Sequence, residues 1–138
     1  MNNYSFEEIE IGYKENFTVK VDEEYIAAFR KYTGDENPLH RDIDYARKKG
    51  FEDKVVFGML TASYYSTLVG VYLPGEKCLI HEVNTKFKAP VYAGDILTVT
   101  GEVEEKNELF QLITVKASIR NQHNKIVSKA KIVLGIMY

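Results

Sequence analysis

The chain has 138 residues, 45% hydrophobic and 28% charged, which suits one globular domain large enough to bury a real core. Its net charge of −2 leaves no electrostatic case for nucleic acid as a bulk partner. Cys78 is the only cysteine, so no internal disulfide can form, and a reducing, cytoplasmic compartment is the expectation. The start, "MNNYSFEEIE", also lacks the basic residues and apolar run of a signal peptide.

In chain order, "YKENFTVKV" (13–21) predicts a strand. A helix should follow from Asp22 as N-cap, with Glu23 and Glu24 in its first turn, Tyr25, Phe29 and Tyr32 at helical spacing, and Gly34 as its stop. Then comes "GDENPLH" (34–40). Pro38 has no N–H to donate and pushes Asn37 toward extended backbone, so this is a rigid loop. On a regular helix Asp35 and His40 would lie on different faces; in such a loop they can converge on one point. A short charged helix, "DIDYARKKG" (42–50), comes next.

The stretch "VVFGMLTASYYSTLVGVYLPG" (55–75) contains no charged residue. Its length would allow a membrane span, but Tyr64, Tyr65, Tyr72, Ser63, Ser66, Thr61, Thr67 and the glycines make it too polar for one. It predicts a helix buried on nearly every side in a soluble protein, with no membrane partner. The second half is all strand. Leu79, His81, Val83, Thr85 and Phe87 alternate with Glu82, Asn84, Lys86 and Lys88. Leu97, Val99 and Val103 alternate with Thr98, Thr100, Glu102 and Glu104, and Leu109, Gln111, Ile113, Val115, Ala117 and Ile119 repeat the pattern. The turn "NQHN" (121–124) leads into a last strand within 125–138. Long antiparallel strands with one apolar face, plus one buried helix, suggest a sheet curled around that helix. This is the hotdog architecture, an α+β fold in a single domain spanning 1–138.

"YTGDENPLHRDIDYA" (32–46) resembles the hydratase signature of the MaoC-like family, the (R)-specific enoyl-CoA hydratases. "FGMLTASYYS" (57–66) resembles that family's helix start, and "FKAPVYAGDIL" (87–97) its Pro…Gly-Asp turn before a strand. The matches run in the family's order from about residue 10 to the C-terminus. One departure stands out: many relatives have His where this chain has Phe57.

The resemblance implies an acyl-CoA thioester substrate, with coenzyme A as part of the substrate and no metal or redox cofactor. Adding water to an enoyl thioester needs acid–base groups and donors for the enolate-like oxygen that develops. By resemblance Asp35 activates the water, while His40 binds it and delivers the proton. Asn37 and Pro38 brace the loop. The Gly58 backbone N–H, at a helix start, faces the thioester oxygen. Ser66 matches a supporting hydroxyl, although bonding back within its own helix is an equal alternative. Phe57 and Met59 beside Gly58, and Lys86 and Lys88 toward the coenzyme phosphates, are further candidate substrate contacts; a solvated strand face competes for the lysines. His81 and His123 suggest no metal site. Such a sheet leaves an edge open, so a homodimer or higher homo-oligomer is expected. Two rivals are a hotdog acyl-CoA thioesterase, disfavoured because 55–75 lacks a carboxylate, and a non-catalytic acyl-CoA-binding module, which needs no Asp35–Asn37–His40 set.

Overall fold

Period-two alternation builds the sheet of this molecule, and a computed structural model describes the chain from Met1 to Tyr138. Five strands form one antiparallel sheet: β1 (Lys14–Lys20), β2 (Cys78–Phe87), β3 (Ile96–Asn107), β4 (Leu112–Arg120) and β5 (Ile126–Ile136). They lie in the order β1-β3-β4-β5-β2, so β1 and β2 are the edges. The helices are α1 (Glu23–Thr33), α2 (Ile43–Lys48) and α3 (Gly58–Thr67), and a π-helical turn (Leu68–Tyr72) prolongs α3. No helix is long and apolar enough to cross a membrane.

The inner face of the sheet supplies Leu97, Val99, Val103, Ile113, Val115, Ile119, Ile132 and Leu134, all essentially fully buried. Tyr65, Leu68 and Val69 of the helical segment fill the hollow they form. Each such apolar side chain contributes about 1.5–3 kcal/mol on burial. Gly101 lets the helix come close: a Cβ there would stand 2.8 Å from Leu68 Cδ2. The fold is the α+β sheet-around-helix arrangement expected from patterning.

Details differ where tertiary context outweighs local pattern. The helical segment is not buried on nearly every side, because Met59, Ser63 and Ser66 leave an exposed stripe along α3. In α1, Ile26 and Phe29 pack toward the core, whereas Tyr25 and Tyr32 face solvent. Asp22 starts α1 without a side-chain cap bond; Gly34 ends it in left-handed backbone, φ 73°, with its N–H donated to Arg30 O. Leu109 and Gln111 fall in the β3–β4 turn rather than on a strand.

The largest correction concerns β2. A bulge between Ile80 and Glu82 shifts the register, so Ile80 pairs with Leu134 and Cys78 with Ile136, both inward-facing partners. Leu79 and His81 therefore leave the inner face that simple alternation assigned to them. His81 Nε2 lies 3.0 Å from where a Cβ on Gly135 would stand. As an edge strand β2 has sheet on one side only, and Leu79, Ile80, Val83 and Phe87 stay substantially exposed.

Candidate active site

The loop from Gly34 to His40 is built by its own short polar side chains. Thr33 Oγ1 donates to Phe29 O (2.7 Å) and accepts from the Asp35 N–H. Asp35 Oδ1 accepts from the Asn37 N–H and Asn37 Oδ1 from the Leu39 N–H, each at 3.0 Å. These are successive Asx turns, the usual use of Asp and Asn in a loop. Pro38 then opens a 3-10 turn, Pro38–His40, where its missing N–H costs nothing. Glu36 clasps the loop from outside by accepting from Arg30 Nε (2.9 Å), and Arg41 Nε donates to its backbone carbonyl.

The hydrogen bonds from Arg30 hold the Glu36 carboxyl below the usual carboxylate range. A depressed carboxylate pKa gives a contribution that is present at neutral pH and fades only as pH falls through that lowered value. The clasp therefore stays closed through the mildly acidic range in which a histidine titrates.

Two direct contacts fix His40, and neighbouring bonds back them. Its Nδ1 lies 2.6 Å from Val55 O, and a carbonyl can only accept, so Nδ1 carries the hydrogen and Nε2 is the free ring nitrogen. The Val55 N–H returns a bond to Leu39 O. The Phe57 ring lies against the imidazole at 4.2 Å between centroids, and Phe29 packs on Phe57 at 4.9 Å. Val55 is held in turn by an isolated bridge to Tyr92. Buried Asp95 secures the Tyr92 turn by accepting from the Tyr92 N–H and from Gln122. The Gly94-Asp95 turn thus supports the histidine at a distance.

His40 lines a cavity of about 340 Å3 between the 34–40 loop, the start of α3 and the end of β2. Gly58 lines the same cavity as the first residue of α3. An N–H in the first turn has no intrahelical partner and sits at the positive end of the helix dipole. The wall is otherwise largely apolar, with Phe51, Val91 and Val127 contributing, and Lys88 stands beside Phe87 at its β2 side. Tyr65 OH and Ser128 Oγ lie 2.7 Å apart, with Thr85 Oγ1 3.2 Å from Ser128, so a buried polar chain ties the helix to β5 and to β2 next to Phe87. Burial pushes the Tyr65 hydroxyl above its ordinary pKa, so it remains a neutral structural group.

Of the residues singled out from sequence, His40, Gly58 and Lys88 meet at this cavity. Asn37 and Pro38 brace the loop that carries His40. Asp35 lies on that loop but is exposed, is absent from the cavity wall and makes no bond to His40. Phe57 is buried beneath His40 instead of lining the cavity. Met59 and Ser66 lie on the exposed stripe of α3, and Lys86 is on the outer sheet face. Sequence reasoning missed the Val55 carbonyl as the anchor of His40, because a backbone acceptor leaves no trace in residue type. It also missed Phe51 and Val127, which only folding brings to the wall.

A model described as MaoC like domain matches residues 5–125. The (R)-specific enoyl-CoA hydratase of Aeromonas caviae is 35% identical over 118 residues, 86% of this chain and 88% of that protein. The (R)-specific enoyl-CoA hydratase of Rhodospirillum rubrum is 37% identical over 105 residues, 73% of each. Among solved structures, the unliganded R-hydratase of Pseudomonas aeruginosa superposes with a TM-score of 0.90 at 29% identity, covering 98% of this chain and 86% of that one. The overall fold thus recurs in related proteins, and this chain belongs to the MaoC-like domain family.

Proposed function

We propose that the chain is an (R)-specific enoyl-CoA hydratase, a hydro-lyase that reversibly adds water to a trans-2-enoyl-CoA to give the (R)-3-hydroxyacyl-CoA. The observation that carries this is His40 at the cavity, its Nδ1–H anchored on the Val55 carbonyl, with Gly58, the first residue of α3, in the same wall. Relatives that bear this activity in their names cover most of the chain, which supports the same reading.

In the forward step a water oxygen bonds to the β-carbon and its proton passes to the free Nε2 of His40. The alkene electron pair moves through the α-carbon onto the thioester oxygen, which the Gly58 N–H receives. The enolate then collapses, and the α-carbon takes a proton from the imidazolium. The family resemblance, not a contact in the cavity, assigns Asp35 to polarising that water. No step calls on a metal or redox cofactor, and we place the enzyme in the cytoplasm. Incubation with crotonyl-CoA in the presence of EDTA should consume the enone absorbance and yield the (R) product. Release of free coenzyme A without hydration would make the protein a thioesterase.

Two further expectations belong to this reading. Phe57→Leu keeps an apolar side chain under His40 but loses the ring stack, worth about 0.5–1.5 kcal/mol beyond burial. Turnover should fall by up to about tenfold while the substrate KM changes little; a variant with an unaltered kcat–pH profile and turnover would show that Phe57 only fills space. The second concerns assembly. Exposed Leu79, Ile80, Val83 and Phe87 on an unpaired edge, beside the open stripe of α3, fit coverage by a second copy of the chain as a homodimer. Light scattering at micromolar concentration should give a dimer or larger, and Leu79→Lys with Val83→Lys should shift it toward monomer. An active wild-type monomer would rule the assembly out.

A further inference from the structure

On the outer sheet face, Lys86 of β2, Lys116 of β4 and Lys129 and Lys131 of β5 border a groove of about 430 Å3, with Lys88 just past β2 at one end. The register accounts for the cluster. Asn84 pairs with Lys131 and Lys131 with Lys116, while Lys86 pairs with Lys129. Neighbouring strands are about 5 Å apart and alternate residues about 7 Å apart, so the ammonium groups share a patch on the order of 10 Å across.

Counter-charge is scarce there. Lys131 pairs with Glu104 at 3.3 Å, and Glu102, opposite Lys116, pairs with Lys14 instead. Lys86, Lys88, Lys116 and Lys129 have no ion pair, in a protein whose net charge is negative. Lysine is a poor strand former, and edge protection accounts only for Lys86, since β4 and β5 are interior strands. A solvated face would be served equally well by uncharged polar residues, without the mutual repulsion.

Lys88 lines both this groove and the cavity that holds His40 and Gly58. One molecule can therefore place a reacting end in the cavity and an anionic end on the lysines. We infer that the groove binds the phosphate-bearing nucleotide of the coenzyme A thioester and so selects that carrier over carriers without it. The inference rests on the proposed hydration for the identity of the reacting end. The patch suits a small polyanion rather than a folded partner, whose interface takes roughly 800 Å2 on each side.

The test has a binding arm and a turnover arm, both using the full chain. Calorimetry with adenosine 3′,5′-bisphosphate needs no catalysis. Wild type should bind it, more weakly as salt rises, and Lys116→Gln with Lys129→Gln should weaken binding by roughly tenfold or more, because charge-assisted bonds to phosphate are lost. In the second arm the crotonyl thioesters of coenzyme A, of 3′-dephospho-coenzyme A and of pantetheine are compared. Wild-type KM should rise along that series, and the double variant should lose the discrimination. Absence of bisphosphate binding, or binding indifferent to the two lysines, overturns the inference. So does a variant that is impaired only with thioesters of an acyl carrier protein, which would make the patch a protein dock. If lysine-dependent binding is present but no thioester is hydrated, the groove stands and the proposed reaction fails.

Discussion

Replacing His40 with glutamine should lower hydration turnover by roughly 10²–10⁴-fold, the usual contribution of a positioned acid–base group. Glutamine can still donate to the Val55 carbonyl and rest on Phe57, so the contacts that seat His40 have a substitute. What it cannot do is carry a proton from water to carbon. The Asp35→Asn variant is the matching test of charge. Asn retains an oxygen to accept from the Asn37 N–H, and the clasp between Glu36 and Arg30 is untouched. A loss of similar size in a variant with unchanged circular dichroism and melting would therefore isolate the negative charge, not the loop's shape. Near-normal turnover for Asp35→Asn would reduce Asp35 to a turn residue and leave His40 alone at the chemistry. Near-normal turnover for His40→Gln would remove the proposed mechanism.

The second large effect is expected at Gly58. Gly58→Pro removes the N–H assigned to the thioester oxygen, and loss of one such donor typically costs about 10²–10³ in turnover. Proline suits this position: Gly58 is the first residue of α3, and Phe57 before it has φ −52° and ψ 125°, the extended backbone that precedes proline. Gly58→Ala separates space from hydrogen bonding. It keeps the N–H, but its Cβ would stand 3.1 Å from the Phe87 ring, which must give way where the substrate approaches. The alanine variant should therefore raise KM together with its loss of turnover. The proline variant, once shown by melting to be folded, should lose turnover more deeply. Wild-type turnover in folded Gly58→Pro would mean that the oxygen is received elsewhere and that glycine serves packing against Phe87.

Much of this protein can be read without its structure because its strongest signals are local. The alternation in 97–103 and 113–119 returns as the buried inner faces of β3 and β4, since the pleat alone decides which side a residue takes. Pro38 between Asn37 and His40 dictates a rigid turn through its own ring, and the chain makes it there. The apolar, uncharged 55–75 stretch could lower its free energy only by entering a core, and Leu60, Tyr65, Leu68 and Val69 do so.

What tertiary structure decided is what depends on partners distant in the chain. The bulge in β2 is set by pairing with β5, and it turns Leu79 and His81 off the face that alternation assigns them. The ring nitrogen that His40 leaves free is chosen by a carbonyl fifteen residues away. Asp35 and His40 share a motif, yet their side chains are sent apart, one bonding back to its own loop and the other reaching Val55. The lysines of the outer face are unremarkable one strand at a time. They become a site only because β2, β5 and β4 lie side by side, and residue spacing along a chain holds no record of that adjacency.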